Sequence, residues 1–235
     1  MAELGHERTV LTPIRIGGTT AARNRLYRAP VLEGAGDGED AAEIYAKQFV
    51  ANAGLGGLFA MEAWHEPYAS QRQRPLLAAS KPPLALRPVF RRAPIHVMTA
   101  DDIRAMATQY GEVAAWAREA GYDGLQLASS NAKLLDQFLS PFYNRRTDEF
   151  GGSPEGRARI LRVIRDEIGR RAGWDYTCTV KIPVGEKAPP FTPKTSWDEG
   201  VRMAEWAQEW GYDAVTPVHV SVLPDTTLSR GGTRP

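Results

Sequence analysis

The densest gathering of hydrogen-bonding and ionisable side chains is the run Asp136–Arg159, DQFLSPFYNRRTDEFGGSPEGRAR, which comes after a short apolar stretch, Gly124–Ala128. Paired arginines, a Thr-Asp turn, a Gly-Gly break and a Ser-Pro helix start stand close together in it. A guanidinium group forks onto carboxylates in a rigid, bidentate geometry. Asn144, Arg145, Arg146, Asp148 and Arg157 are therefore expected to form a hydrogen-bonded scaffold rather than to hold a substrate. Cys178, the single cysteine, lies in the apolar run Cys178–Ile182 and reads as a packed thiol, not a nucleophile. His6, His65, His96 and His219 show no ligand spacing with Cys, Asp or Glu, so no metal site is expected. Gly34-Ala-Gly36 and Gly231-Gly232 are too sparse to cradle a phosphate.

The elements that must position these residues are arranged as a repeat. Ala117–Leu127 (AREAGYDGLQL) returns as Ala207–Pro217 (AQEWGYDAVTP), each copy a helix end, a glycine suited to the left-handed conformation, and a strand. Thr99 with Asp102 and Ser196 with Glu199 have the spacing of N-terminal caps. Ile103, Met106, Tyr110, Val113 and Ala117 come after the first at helical spacing; Val201, Ala204 and Trp210 come after the second. Ser153 and Pro154 open a third helix carrying Ile160, Val163, Ile164 and Ile168. Strands are expected at Leu26–Leu32, Gly57–Met61, Gly124–Ala128, Thr177–Val184 and Ala214–Val220, read as buried on both faces. Long polar loops after strands and short ones after helices favour a barrel over a doubly wound sheet. The segment 71–98, rich in proline and arginine, is expected as an extended loop within a single domain spanning 1–235.

Hydrophobic residues make up 43% of the chain and charged ones 24%, as in ordinary globular domains. Lys+Arg 29 against Asp+Glu 28 leaves no basic excess, which argues against nucleic acid or an anionic membrane as partner. No apolar run approaches the roughly 20 residues of a membrane span. One cysteine excludes an internal disulfide, and MAELGHERTV lacks the order of a signal peptide, so a cytoplasmic protein is expected.

Four stretches together resemble the old yellow enzyme family of FMN-dependent ene-reductases. Leu11–Gly18 (LTPIRIGG) is similar to its N-terminal hairpin, Asn24–Pro30 (NRLYRAP) to its first strand, Phe59–His65 (FAMEAWH) to its third, and Gly124–Arg157 to its fourth strand and the loop after it. The resemblance implies bound FMN, NAD(P)H as reductant, and a small-molecule acceptor such as an activated alkene. It places Ala29, Pro30 and Val31 against the flavin ring and Lys181 beside flavin N1 and O2, where positive charge stabilises the anionic reduced flavin. Glu62 stands where the family has a glutamine on the pyrimidine edge; it keeps an acceptor and loses the donor. After the fourth strand, the two substrate-binding positions and the proton-donor position read Ala128, Asn131 and Lys133. Asn131 would then polarise the acceptor carbonyl, and Lys133 would give the proton if its surroundings bring its pKa near working pH.

The fold expected is α/β, an incomplete TIM-type (β/α) barrel lacking the second-strand region and the last two strands, since a full barrel takes about 250 residues. Such a barrel would be closed by another copy or a full-length relative, as a homo-oligomer or a mixed complex. Barrel phosphate sites are commonly built after the last strands. Their absence leaves two other readings open: a flavin-free isomerase or cyclase on the same scaffold, or a non-catalytic subunit of a full-length relative.

Overall fold

Three capped helices build one side of the molecule. The computed structural model describes residues 12–17, 20–25, 60–63, 75–83, 94–130 and 133–221. Helix α1 (Ala100–Glu119) starts at Thr99, whose hydroxyl accepts from Asp102 N at 3.1 Å while the Asp102 carboxylate accepts from Thr99 N at 2.7 Å. Helix α2 is the short Leu134–Leu139 and α3 is Pro154–Ala172, capped by Ser153 with Pro154 in its first turn. Helix α4 (Trp197–Glu209) repeats the reciprocal cap with Ser196 and Glu199. All three cap signals expected from the sequence are formed.

The repeat is equally concrete. Gly121 and Gly211 both sit at φ +89. Tyr122 N donates to Ala117 O and Tyr212 N to Ala207 O, each at 3.0 Å, closing two Schellman turns of the same pattern. The strand after each turn enters a parallel sheet.

That sheet has the order β3 (Ala60–Ala63), β6 (Gly124–Leu127), β7 (Thr177–Lys187), β8 (Ala214–Ser221), all neighbours parallel. Strand order is chain order with helices between, the winding of a (β/α) barrel; a doubly wound sheet would reverse direction partway. Leu125, Leu127, Cys178, Val180 and Ile182 form one buried cluster with α1, α3 and α4. At Gly111 of α1 an added β-carbon would stand 2.8 Å from Glu167 O of α3, so the absence of a side chain sets how closely these helices pack. Hairpin β1 (Ile14–Ile16) and β2 (Thr20–Ala22) turns at Gly17, φ +64, directly against Asp213. Thr20 and Thr177 are joined through their hydroxyls, which ties the hairpin to the first residue of β7.

Three expectations need amendment. Strand β6 is buried on both faces, but β7 is not: along it Cys178, Val180 and Ile182 are buried against helices, while Thr179 and Lys181 between them are half-exposed. In α4 the buried face is Gly200, Met203 and Ala207; Val201 is exposed because its position points away from β7. The segment 71–98 carries two short strands, β4 (Leu76–Ala78) and β5 (Ile95–Val97), paired in parallel. The strand expected at Leu26–Leu32 lies outside the described residues, as does 57–59 of the Gly57–Met61 strand.

Asp102 also accepts from Thr99 Oγ1 and bonds His96 Nε2 at 2.7 Å. The backbone and side chain of Thr99 and the His96 ring together hold its carboxyl at about 2, below the ordinary 3.8. A depressed carboxyl stabilises the fold above its unfolded-state pKa and loses that contribution as pH falls through the folded value. Asp102→Ala should therefore lower stability by about 1 kcal/mol at neutral pH, and the difference from wild type should vanish between about pH 4 and 2. Urea unfolding across that range measures both.

Candidate active site at the carboxyl ends of the strands

With the helices on one face, polar side chains collect on the other. Gln126 of β6 donates from Nε2 to Thr179 Oγ1 of β7 and Thr216 Oγ1 of β8, both at 3.3 Å. Register pairs Glu62 with Gln126, Gln126 with Thr179, and Lys181 with Thr216. The inner face is thus a polar ladder running across the strands, with Lys181 as its half-buried cation. The carbonyl of Lys181 accepts from Ser129 Oγ, which locks the residues just after β6 to β7. Barrel enzymes build their sites at this end of the strands.

Ala128, Ser129 and Ser130 are buried. Lys133 is the N-cap residue of α2 and half-buried; its N–H donates to Ser130 O at 3.2 Å and its carbonyl accepts from Gln137 N at 3.0 Å. Lys133 thus follows β6 through a short loop, and Lys181 lies in the neighbouring strand β7. Glu62 is placed by its backbone in β3, beside Gln126. Ala29, Pro30, Val31 and Asn131 lie outside the described residues. Gln126, Thr179 and Thr216 were not anticipated. Their signal was a polar residue at every second strand position, masked because each strand reads as predominantly apolar.

The run after β6 is held by the arginine and asparagine scaffold. Asn144 is buried and donates through Nδ2 to Phe138 O and Phe150 O, both at 2.7 Å. Arg146 donates from Nε to Asp148 at 2.9 Å and from one terminal nitrogen to Ala79 O at 3.0 Å and Met98 O at 2.5 Å. Its charge and hydrogen bonds hold the Asp148 carboxyl below its usual range. Arg157, also buried, reaches Leu139 O at 2.9 Å, Gly152 O at 3.1 Å and Glu199 of α4 at 3.2 Å. These residues join the segment holding β4 and β5, α2, α3 and α4 around the loop that carries Lys133. Cys178 is fully buried, and burial pushes its thiol up to about 12, as befits a packing residue.

The β7–α4 loop has a different character. A shift of register between Pro183 and Glu186, with Gly185 at φ +103, ends the regular part of β7. Glu186 N donates to Thr195 O at 3.0 Å, and Thr195 N donates to Glu186 Oε2 at 2.6 Å. Desolvation, above all, raises the Glu186 carboxyl from its ordinary value. At the tip, Thr192 N donates to Pro189 O at 3.2 Å around Pro190 and Phe191. Phe191 has φ +61, the sign a type II turn requires at its third position. A side chain there costs about 1–2 kcal/mol, and Phe191 is fully exposed, so burial does not offset it.

Comparison with known proteins bears on the family and the fold. A family model described as the NADH:flavin oxidoreductase / NADH oxidase family matches residues 54–227. An NADPH dehydrogenase of Bacillus subtilis (strain 168) is 35% identical over 119 residues, covering 50% of this chain and 33% of that protein. The chain spans 33–40% of the length of the NADPH dehydrogenases it matches. A 2-naphthoyl-CoA reductase in complex with 2-naphthoyl-CoA superposes with TM-score 0.72 at 18% identity, covering 92% of this chain and 41% of that one. An old yellow enzyme homologue from Zymomonas mobilis gives 0.72 at 18% identity, covering 90% and 73%. At such identities the likeness is one of fold, and that fold is the TIM barrel.

Asn144→Ala should strip two buried carbonyls of their donor and cost about 2 kcal/mol or more. Asp101→Ala removes only an exposed ion pair with Arg104 and should cost less than about 1 kcal/mol. Urea midpoints of the two variants, measured side by side, check the contrast.

Proposed function

Because the chain belongs to the NADH:flavin oxidoreductase / NADH oxidase family, we propose that it is an FMN-dependent oxidoreductase reducing an activated alkene or related acceptor with NAD(P)H. The observation that carries this reading is Lys181, a cation on a polar sheet face at the strand ends. Flavin chemistry needs such a group: reduction leaves negative charge on the pyrimidine side of the ring, and a fixed positive charge beside it stabilises that state. The inner face of Gln126, Thr179 and Thr216 offers amide and hydroxyl partners around the cation, so the residues present fit the cofactor. FMN, when bound, would pass a hydride from the nicotinamide to the acceptor.

The chain's own groups take the remaining roles. Ala29, Pro30 and Val31 would support the ring through their backbone, and Glu62 would accept a hydrogen bond at the pyrimidine edge. Asn131 would orient the acceptor carbonyl. Lys133, fixed as the N-cap residue of α2, would give a proton to the acceptor carbon. Among the described residues no helix is long and apolar enough to cross a membrane, and we place the protein in the cytoplasm. Among the described residues the sheet ends at β3 and β8. We infer that this is a sector of an incomplete barrel whose edges are paired by a second copy or a longer relative, since unpaired parallel edges are a liability.

Purified protein supplied with FMN should be yellow, and anaerobic NADPH should bleach it. Lys181→Met should weaken FMN binding about tenfold, the effect of losing one charge-assisted contact, measured by fluorescence titration. A wild-type protein that stays colourless with excess FMN would exclude the reading. On a sizing column it should elute above the mass of one chain; a stable monomer would remove the assembly.

A further inference from the structure

We propose that Ser129 is a positioning residue for the cation at Lys181: its hydroxyl holds the Lys181 peptide in place where the backbone ladder beside it has ended. The proposal rests on the flavin-dependent reading above, and it adds to that reading a residue that acts only through Lys181.

The ladder between β6 and β7 runs from Gly124 opposite Thr177 to Leu127 opposite Val180. Carbonyls alternate in direction along a strand. Cys178 O turns towards β8, where it accepts from Asp213 N, so Thr179 and Lys181 turn theirs towards β6. Lys181 O therefore faces β6 one rung beyond the end of the ladder. Extending the register by two residues sets position 129 opposite Ile182. The backbone N–H of residue 129 is the donor that a continued ladder would offer to Lys181 O. In the structure the donor is the Ser129 hydroxyl instead.

The substitution of side chain for backbone has a local cause. Ser130 O accepts from Lys133 N at 3.2 Å, so the chain at this point is leaving the sheet for α2. A serine hydroxyl can stand in for a backbone group while the main chain turns away. Alanine at 129 would allow the same turn and leave the carbonyl without this donor. Ser129 is fully buried, so bulk water does not reach its place.

On the other side, register sets Lys181 opposite Thr216 of β8. The Lys181 peptide is thus gripped from both neighbours, and the root of the half-buried ammonium side chain is fixed. Such fixing has a calculable effect. At an effective dielectric of about 20, moving one charge from about 4 Å to about 5 Å from an opposite charge changes an equilibrium roughly fourfold.

The test is a double-mutant cycle on FMN-loaded protein, Ser129→Ala with and without Lys181→Met. Redox titration reads the ratio of affinities for reduced and oxidised FMN. Ser129→Ala should lower that ratio about fourfold, and in the Lys181→Met background it should change nothing. In FMN-free protein, amide exchange along Thr177–Val184 should be faster in Ser129→Ala than in wild type. A ratio that Ser129→Ala leaves unchanged, or lowers equally in both backgrounds, would overturn this inference alone, as would unchanged exchange along β7. Wild type that takes up no FMN, or a Lys181→Met ratio equal to that of wild type, would overturn the reading of Lys181 and this inference with it.

Discussion

Helices α1, α3 and α4 cover a single face of the β3–β6–β7–β8 sheet, and this one-sided covering decides where every polar strand residue can go. Apolar side chains at alternate positions are drawn to the helices by burial. The residues between them must face the other way, where Gln126 finds Thr179 and Thr216 instead of water. A buried amide without partners is costly, so a polar strand position next to an apolar one is tolerated only when its neighbours answer it. Lys181 belongs to the same set. Its charge is admissible because the inner face is half-open, and the reading of this face as a flavin surface depends on that openness.

A parallel strand does little to hold the loop at its carboxyl end, and here the loop after β6 is stabilised by backbone capture. Asn144, Arg146 and Arg157 mostly bond carbonyls, not carboxylates. Carbonyls left over at helix ends and loop corners are acceptors with no donor of their own, and an arginine can satisfy several at once. The run Asp136–Arg159 is thus polar in composition yet largely interior in position. Lys133, the N-cap residue of α2, stands just before it.

Much of this was legible in the sequence, for identifiable reasons. Helix starts are written in adjacent residues, so Thr99–Asp102, Ser153–Pro154 and Ser196–Glu199 could be read directly. The repeat exposed both Schellman glycines. The scaffold role of Asn144, Arg146 and Arg157 was read from arginine–carboxylate pairing, whereas most of the partners in the structure are backbone carbonyls. Harder to see was anything that depends on which strand lies beside which. Gln126 looks like an isolated polar residue until the register sets it against Thr179. Val201 has the right spacing for a core residue but points away from the sheet, because α4 is rotated so that Gly200 packs on Val184. Phe191 carried no turn signal at all, since a phenylalanine is the wrong residue for its backbone.

Asp213, two residues beyond the left-handed Gly211, clasps Cys178 from both sides: its N–H donates to Cys178 O and its carboxylate accepts from Cys178 N, each at 2.8 Å. The clasp lies at the start of β8, where the two strands first meet, and it fixes their alignment. Each helix–turn–strand unit built this way carries its own instruction for where to attach to the unit before it. A chain assembled from such self-aligning pieces can gain or lose one as a whole without dragging its neighbours out of step. Modularity of this kind turns a closed architecture into something that evolution can edit by the piece.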